Sequence, residues 1–449
     1  MKRLNQVLNI KSKNYLKIVK LLTDAGAQVR LVGGVVRDTL LGWPTKDIDM
    51  ATDFKPLQVI SVLEAHGVKV IPTGIKFGTV SALINKEVFE ITTLRKDLSC
   101  DGRHADVEYS NDFREDAQRR DFTINSLSYC PIKHEIYDYF GGVDDLNNRR
   151  VIFIGTADER IQEDYLRILR FFRFSCKYAN KIDEEGLAAC VRFKDKLKLL
   201  SGERIKHEMD TMLSLELSPY ILAKMYDSEI MQVIFPVTRY DQVMHIKAIN
   251  IAKDFNISLD LGAVYAILFS ASLDLSHNST SADDCVIAPV LRFSRMPSGV
   301  LRSSAQYTPS PRLAEDGSAK DLLKKLLELK FSRAEALLVI KLLQLKKSLD
   351  KGSVETLLKV IWLEEKSFLS YFVLASVWLE DNKIVYDLLA NLKNKDVPKF
   401  PVNGNDLIKL GYRGETLGKL IKSLKYKWVQ SDFALNKEEI INLVKNCEI

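Results

Sequence analysis

The chain is poor in the residues that staple small folds or hold structural zinc. It has six cysteines in 449 residues, at Cys100, Cys130, Cys176, Cys190, Cys285 and Cys447, with no CxxC pair and no histidine at zinc spacing. Reduced thiols in a cytoplasmic setting are the simplest expectation. No stretch reaches about 18 uninterrupted apolar residues, which excludes a membrane span of the usual length. The first twenty residues are basic but broken by Asn, Gln and Lys, so they lack the apolar run of a signal peptide. A repeat of the solenoid kind is also missing. A net charge of +6 is small for this length, fitting a polyanionic partner without requiring one.

What is present is an ordinary globular composition, 46% hydrophobic and 28% charged, in a chain long enough for two to four domains. Up to about residue 150 the pattern mixes strands, read at Val29–Gly33, Asp47–Ala51, Gly67–Ile71, Gly78–Ile84 and Val88–Thr93, with helices at Tyr15–Asp24, Val35–Leu41 and Pro56–Ala65. After Thr156, Leu/Lys/Glu-rich segments with helical spacing take over. The expected class is α+β: an α/β head at 1–150, a helical neck at 151–215, a helical body at 216–345 and a body and tail at 346–449. Ser276–Ser318 breaks the helical texture with Pro289, Pro297, Pro309 and Pro311. It reads as a long surface insertion, or as an RNA-contacting arm using Arg292, Arg295, Arg302 and Arg312.

The segment LVGGVVRDTLLGWPTKDIDMATD carries the densest chemistry. On the strand read at Asp47–Ala51, Asp47 and Asp49 point to the same face, two hard carboxylates side by side with Ile48 turned inward. Such oxygen donors suit Mg²⁺, which completes its shell with water and substrate phosphates. Two such ions would activate an attacking 3′-hydroxyl and neutralise departing pyrophosphate. Gly33 and Gly34, at a strand-to-helix turn, let backbone N–H groups approach a triphosphate, with the helix N-terminus adding its dipole. Arg37, one turn into that helix, can donate a fork to phosphate or nucleotide. Glu90, in EVFEITTLR, is the candidate third carboxylate.

Four blocks in order, LVGGVVRD with DID, EDAQRRDFTINSLSY, RIQEDYLRILRFFRF and SGERIKHE, resemble the class II tRNA nucleotidyltransferases (CCA-adding enzymes) and the bacterial poly(A) polymerases. The resemblance runs from about Leu31 to Leu213 and weakly beyond. It implies a head of the DNA polymerase β type followed by helical neck, body and tail, with tRNA, CTP and ATP as partners, Mg²⁺ as cofactor, and no membrane or obligate protein partner. It further implies that Arg120 contacts the nucleotide, that Asp121 and Asn125 hold the ribose or brace the site, and that Asp164, Arg167, Arg170 and Arg173 lie on a base-selecting helix. Ser201–Glu208 would be a turn supporting that helix.

Chemistry supports the base-selecting reading. Positions three apart on a helix are neighbours. Cytosine and adenine each offer an exocyclic amino donor beside a ring-nitrogen acceptor, which a carboxylate and a guanidinium complement. Uracil and guanine invert that pattern and leave buried groups unpaired.

Full CCA addition is the favoured product, with CC-only or A-only addition, poly(A) synthesis, and an inactive RNA-binding module as alternatives. Polyadenylating relatives carry a basic signature near TGIKFGTVSALI and a basic C-terminal extension, and neither is evident. The loop RKDLSCDGRHADVEYSNDF, with Arg95, Asp101, Gly102 and Arg103, stands where the family reshapes its site for the final ATP step. Lys419, Lys422, Lys425 and Lys427 read as sequence-blind phosphate contacts in a tail, and no HD dipeptide marks an appended phosphohydrolase. Trp43-Pro44, Tyr165 and Ser126 depart from the family pattern without removing a charged group.

Overall fold

The computed structural model describes residues 2–10, 12–45, 47–72, 74–100, 105–216, 218–235, 237, 239–271, 317–349, 354–364, 368–379 and 383–445. These fall into two compact units. The first comprises Met1–Ile221 with Asp227–Ile234, and the second Leu222–Tyr226 with Phe235–Ile449. The class is α+β, as expected from the sequence.

The first unit is built on ten strands: β1 (Lys2–Asn5), β2 (Val29–Val32), β3 (Asp49–Thr52), β4 (Lys69–Ile71), β5 (Thr79–Ile84), β6 (Glu87–Thr93), β7 (Arg95–Cys100), β8 (Ala105–Tyr109), β9 (Ser128–Cys130) and β10 (Glu135–Asp138). Eight of them form one mixed sheet in the order β1-β10-β9-β2-β3-β6-β5-β4, and β7 with β8 form a separate hairpin. Every pairing in the large sheet is antiparallel except β3 with β6, where Asp49 lies opposite Glu90 and Thr52 opposite Thr93. β6 alternates as a half-covered strand should, with Phe89, Ile91 and Thr93 buried between more exposed neighbours.

Nine helices of this unit matter for the site: α1 (Tyr15–Asp24), α2 (Gly34–Leu40), α3 (Pro56–Ala65), α4 (Phe113–Gln118), α5 (Gly142–Asn147), α6 (Ala157–Glu163), α7 (Leu166–Tyr178), α8 (Glu184–Phe193) and α9 (Gly202–Leu213). α1 buries Tyr15, Ile18, Val19 and Leu22, the i, i+3, i+4, i+7 stripe of an amphipathic helix. α7 joins the core through an aromatic cluster: Phe171 stacks on Phe153 with ring centres 5.4 Å apart, and Phe174 packs on Phe122 at 5.2 Å. Such ring pairs add to what area burial alone supplies.

Three expectations need correction. Ser201–Glu208, read as a turn, is the cap and first half of α9, which begins at Gly202. β3 begins at Asp49, so Asp47 lies in the loop before the strand rather than within it. The helix read across the third block is broken at Asp164, whose backbone is extended (φ −155°, ψ 107°). The break is stabilised locally, because the Asp164 carboxylate accepts from Leu166 N at 3.0 Å, a side-chain turn just ahead of α7.

In the second unit every described element is a helix or part of one. Leu261–Ser270 and Phe368–Trp378 are buried on nearly all sides. The C-terminal helices close over Val402, Leu407, Leu420, Leu424, Trp428, Ile440 and Val444. The Pro-rich stretch lies outside the described residues apart from Gly317 and Ser318, which open the helix Gly317–Glu328. Among the described residues no helix is long and apolar enough to cross a membrane.

Candidate nucleotidyl-transfer site

The site begins where β2 turns into α2. Gly33 sits at φ 68°, ψ −122°, a conformation that L side chains rarely adopt, and a Cβ there would come within 2.9 Å of an Arg120 guanidinium nitrogen. The backbone conformation is what requires glycine here, since the Arg120 guanidinium ends a flexible side chain that could give way to a Cβ. The N-terminus of α2 opens at this turn.

Next to it, the β3/β6 pairing sets Asp49 and Glu90 on the same face, because directly opposed residues of paired strands point the same way. Burial, then Glu90, and to a smaller extent Asp47 push the Asp49 carboxyl up to about 6, while Arg120 pulls it down. Among the described residues no hydrogen bond or ion pair engages the carboxylates of Asp47, Asp49 or Glu90. Crowded carboxylates with one cationic neighbour are the environment a divalent ion relieves, so the donor set fits Mg²⁺. Among the described residues no group of three or more His, Cys, Asp or Glu is placed to hold an ion by itself.

Behind this edge runs a continuous chain of charge. The Arg37 guanidinium is buried. Its Nε donates to Asp38 at 2.7 Å, an Nη donates to Asn125 Oδ1, and its plane lies 4.2 Å from the Tyr178 ring centre. Asn125 Nδ2 donates to Asp121 Oδ1 at 2.8 Å, and Arg170 donates to the other Asp121 oxygen at 2.6 and 2.8 Å. Burial pushes Asp121 up, but Arg170 and the Asn125 amide outweigh it and hold the carboxyl below its ordinary value. Glu208 of α9, also buried, takes Arg173 and lies 3.9 Å from Arg170.

Of the four positions assigned to the base-selecting helix, Arg170 and Arg173 are thus held by carboxylates. Arg167 donates to Glu163 at 2.6 Å and to the backbone carbonyls of Arg160 and Arg119 at 3.1 and 2.9 Å. Asp164 pairs with Arg204 of α9 at 2.7 Å rather than with Arg167. Arg120 donates to Asp116 at 3.2 Å and to the Asn125 carbonyl at 3.4 Å, and Arg119 shares the same Asp116. Burial raises Asp116, and the two arginines more than reverse it.

Asp38, Asp116, Glu163, Tyr178, Arg204 and Glu208 were not singled out from the sequence. The block SGERIKHE was the available signal for Arg204 and Glu208, but it named a supporting turn and no partner. Of the loop residues, Arg95 donates to the Phe77 carbonyl, and Asp101 and Arg103 lie outside the described residues. In the second unit, Lys419 pairs with Glu415 at 3.1 Å, Lys425 lies 5.9 Å from the Phe400 ring centre, and Lys422 and Lys427 lie half-buried on the same helix, Gly414–Gln430.

A mixed sheet with carboxylates beside a glycine turn, backed by arginine-rich helices, is the design of a nucleotidyltransferase head joined to a helical support. Residues 29–152 match the family described as "Poly A polymerase head domain", and residues 181–241 that described as "Probable RNA and SrmB- binding site of polymerase A". The mitochondrial CCA tRNA nucleotidyltransferase 1 of Mus musculus is 31% identical over 443 residues, spanning 95% of this chain and 89% of its own. The solved CCA-adding enzyme of Bacillus stearothermophilus in complex with CTP shares the fold with a TM-score of 0.65 at 20% identity, over 97% of this chain and 98% of its own. The Thermotoga maritima CCA-adding enzyme complexed with tRNA_CCA does so with a TM-score of 0.65 at 18% identity, over 98% and 97%. The chain belongs to the family of CCA tRNA nucleotidyltransferases.

Proposed function

We propose that this chain is a template-independent RNA nucleotidyltransferase that builds or repairs the 3′-terminal CCA of tRNA from CTP and ATP. The observation that carries this is the Asp49–Glu90 register beside the Gly33 turn, in a chain matched along nearly its whole length by a CCA tRNA nucleotidyltransferase. Residues 1–150 act as head, 151–215 as neck, 216–345 as body, and 346–449 as body and tail.

Asp47 and Asp49, with Glu90 as third carboxylate, would hold two Mg²⁺ ions, which when bound supply Lewis-acid charge to the attacking and leaving oxygens. The Gly33–Gly34 turn and the N-terminus of α2 receive the triphosphate, and Arg120 lies beside them to offset charge. The 3′-oxygen of the RNA bonds to the α-phosphorus of the bound CTP or ATP as the bond to pyrophosphate breaks, and the hydroxyl proton passes to solvent water. Arg37, Asp121, Asn125, Arg170 and Arg173 act mainly by bracing the site, since their polar groups are already engaged. Asp164 reads the exocyclic amino group of cytosine or adenine, and Arg167 donates to the ring nitrogen. Each must share or exchange its present partner to do so. The tail lysines at 419, 422, 425 and 427 contact RNA phosphates. Three unpaired cysteines among the described residues, Cys130, Cys176 and Cys190, support a reducing compartment, and the cytoplasm is proposed. The mitochondrial name of the mouse relative makes the matrix the alternative.

The test is the product ladder. Purified protein is given tRNA lacking CCA, Mg²⁺, and labelled CTP and ATP. Two cytidines followed by one adenosine are expected. A ladder stopping after cytidine, or adding only adenosine, would assign the partial activities. A long adenosine tract would assign poly(A) synthesis, and tRNA binding without incorporation an inactive module.

A further inference from the structure

The loop that delivers Asp47 starts from an anchor that the transfer reading has not used. α2 ends in a Schellman turn: Gly42, at φ 70°, donates to the Thr39 carbonyl at 3.0 Å, and Trp43 N donates to the Asp38 carbonyl at 2.9 Å. The chain leaves the turn at Trp43, four residues before Asp47. That aromatic ring stacks on Tyr178, the last residue of α7, with centres 5.5 Å apart and planes inclined by 27°.

Charge gathers around the stack. The Arg149 guanidinium lies 5.2 Å from the Trp43 ring centre, and the Lys177 ammonium lies 5.7 Å from Trp43 and 5.0 Å from Tyr178. Asn180 N donates to the Arg149 carbonyl at 3.0 Å, tying the segment after α5 to the end of α7. Asp38 closes the assembly. Its carboxylate accepts from the Tyr178 hydroxyl at 2.9 Å and from Arg37 Nε at 2.7 Å, and Lys177 stands 3.7 Å away. Burial above all keeps the Tyr178 hydroxyl well above its ordinary range, so it remains a neutral donor at any working pH.

We infer that Trp43, stacked on Tyr178 and joined through it to Asp38, is a positioning residue that sets the carboxylate loop against the helix carrying the base-reading arginine. This rests on the transferase reading. One end of the 13-residue α7 carries the stack, and the other carries Arg167 and the turn closed by Asp164. A helix of that length moves as a rod, so holding the Tyr178 end constrains the reading end. Pro44, next after Trp43, fixes its own φ and shortens the free part of the loop. Transfer needs the carboxylates and the base contacts to hold one nucleotide at once, and a misplacement of about 1 Å can cost on the order of 100-fold in rate. Trp43 is half-exposed, outside the buried core, so removing its ring loosens the joint while the sheet and the Phe122 cluster stay intact.

The experiment uses the full chain with tRNA lacking CCA, and measures kcat, the KM for CTP, and the Mg²⁺ concentration giving half activity for wild type, Trp43→Ala, Trp43→Phe and Tyr178→Phe. Trp43→Ala is expected to lower kcat about 10- to 100-fold with the KM for CTP within about twofold, because bound nucleotide meets misplaced carboxylates. Its half-activating Mg²⁺ concentration should rise about threefold or more, and Trp43→Phe, which keeps a stacking ring, should recover kcat to within about threefold of wild type. Tyr178→Phe removes only the hydroxyl to Asp38 and should lower kcat about threefold to tenfold; it decides the matter if Trp43→Ala fails to fold. The inference is overturned if kcat falls only in step with the folded fraction while the Mg²⁺ requirement stays put, or if Trp43→Phe is as poor as Trp43→Ala. Wild type that incorporates no nucleotide would refute the transferase reading itself, whereas active wild type with an indifferent Trp43→Ala refutes only the joint.

Discussion

Two neighbouring parts of the first unit treat charge in opposite ways. At the end of β3, Asp47, Asp49 and Glu90 crowd together with no hydrogen-bond or ion-pair partner among the described residues, and Asp49 is pushed up to about 6. One layer behind, Arg37, Asn125, Asp121, Arg170, Glu208 and Arg173 answer one another group by group. Uncompensated negative charge is costly in an isolated fold and useful where a cation and a triphosphate are to arrive. Compensated charge gives no seat to a ligand, but it holds side chains in one geometry. On the proposed function, the contrast divides residues that would meet substrate from residues that would place them.

The largest expected effect comes from the uncompensated side. Asp49→Ala should reduce nucleotide incorporation by about 10³-fold or more, since several kcal/mol of charge stabilisation depend on the ion it would hold. Binding of tRNA, followed by filter retention, should be unchanged. Retained turnover would break the contrast, because Asp49 would then be an ordinary buried acid. On the compensated side, Glu208→Ala leaves Arg173 and Arg170 facing a buried gap, and should lower the unfolding free energy by about 3 kcal/mol, as expected when one partner of a buried pair is removed. Denaturant titration checks it. A loss of activity with stability unchanged would instead move Glu208 to the substrate side.

Much of this division was legible in the residues. Strands β2 to β6 lie within two residues of the stretches read from alternation, α1 and α3 match in both bounds, and the Gly33 turn and Asp49 stand where the motif put them. These are local signals, set by side-chain period, glycine and proline. The remainder is non-local. β1 reads Lys-Arg-Leu-Asn, with no apolar alternation to announce a strand, and it exists because β10 offers it an edge more than 130 residues later. Asp164 looked like the helical neighbour of Arg167, but its carboxylate closes the turn ahead of α7 and reaches Arg204, forty residues on. Glu208 is one acid among many in the sequence, and only packing brings Arg170 and Arg173 to it. Trp43 was noticed as a departure from the family, yet its meaning depends on Tyr178, which no spacing rule could supply.

On the proposed function, the carboxylates beside the Gly33 turn seat the cations that meet the triphosphate. Crystals of the chain soaked with Mn²⁺ and a non-hydrolysable CTP analogue test it directly by anomalous scattering. Metal peaks are expected at about 2.0–2.3 Å from carboxylate oxygens of Asp47 and Asp49, with the triphosphate against the N-terminus of α2. Metal bound elsewhere, or a triphosphate lodged away from that turn, would contradict it.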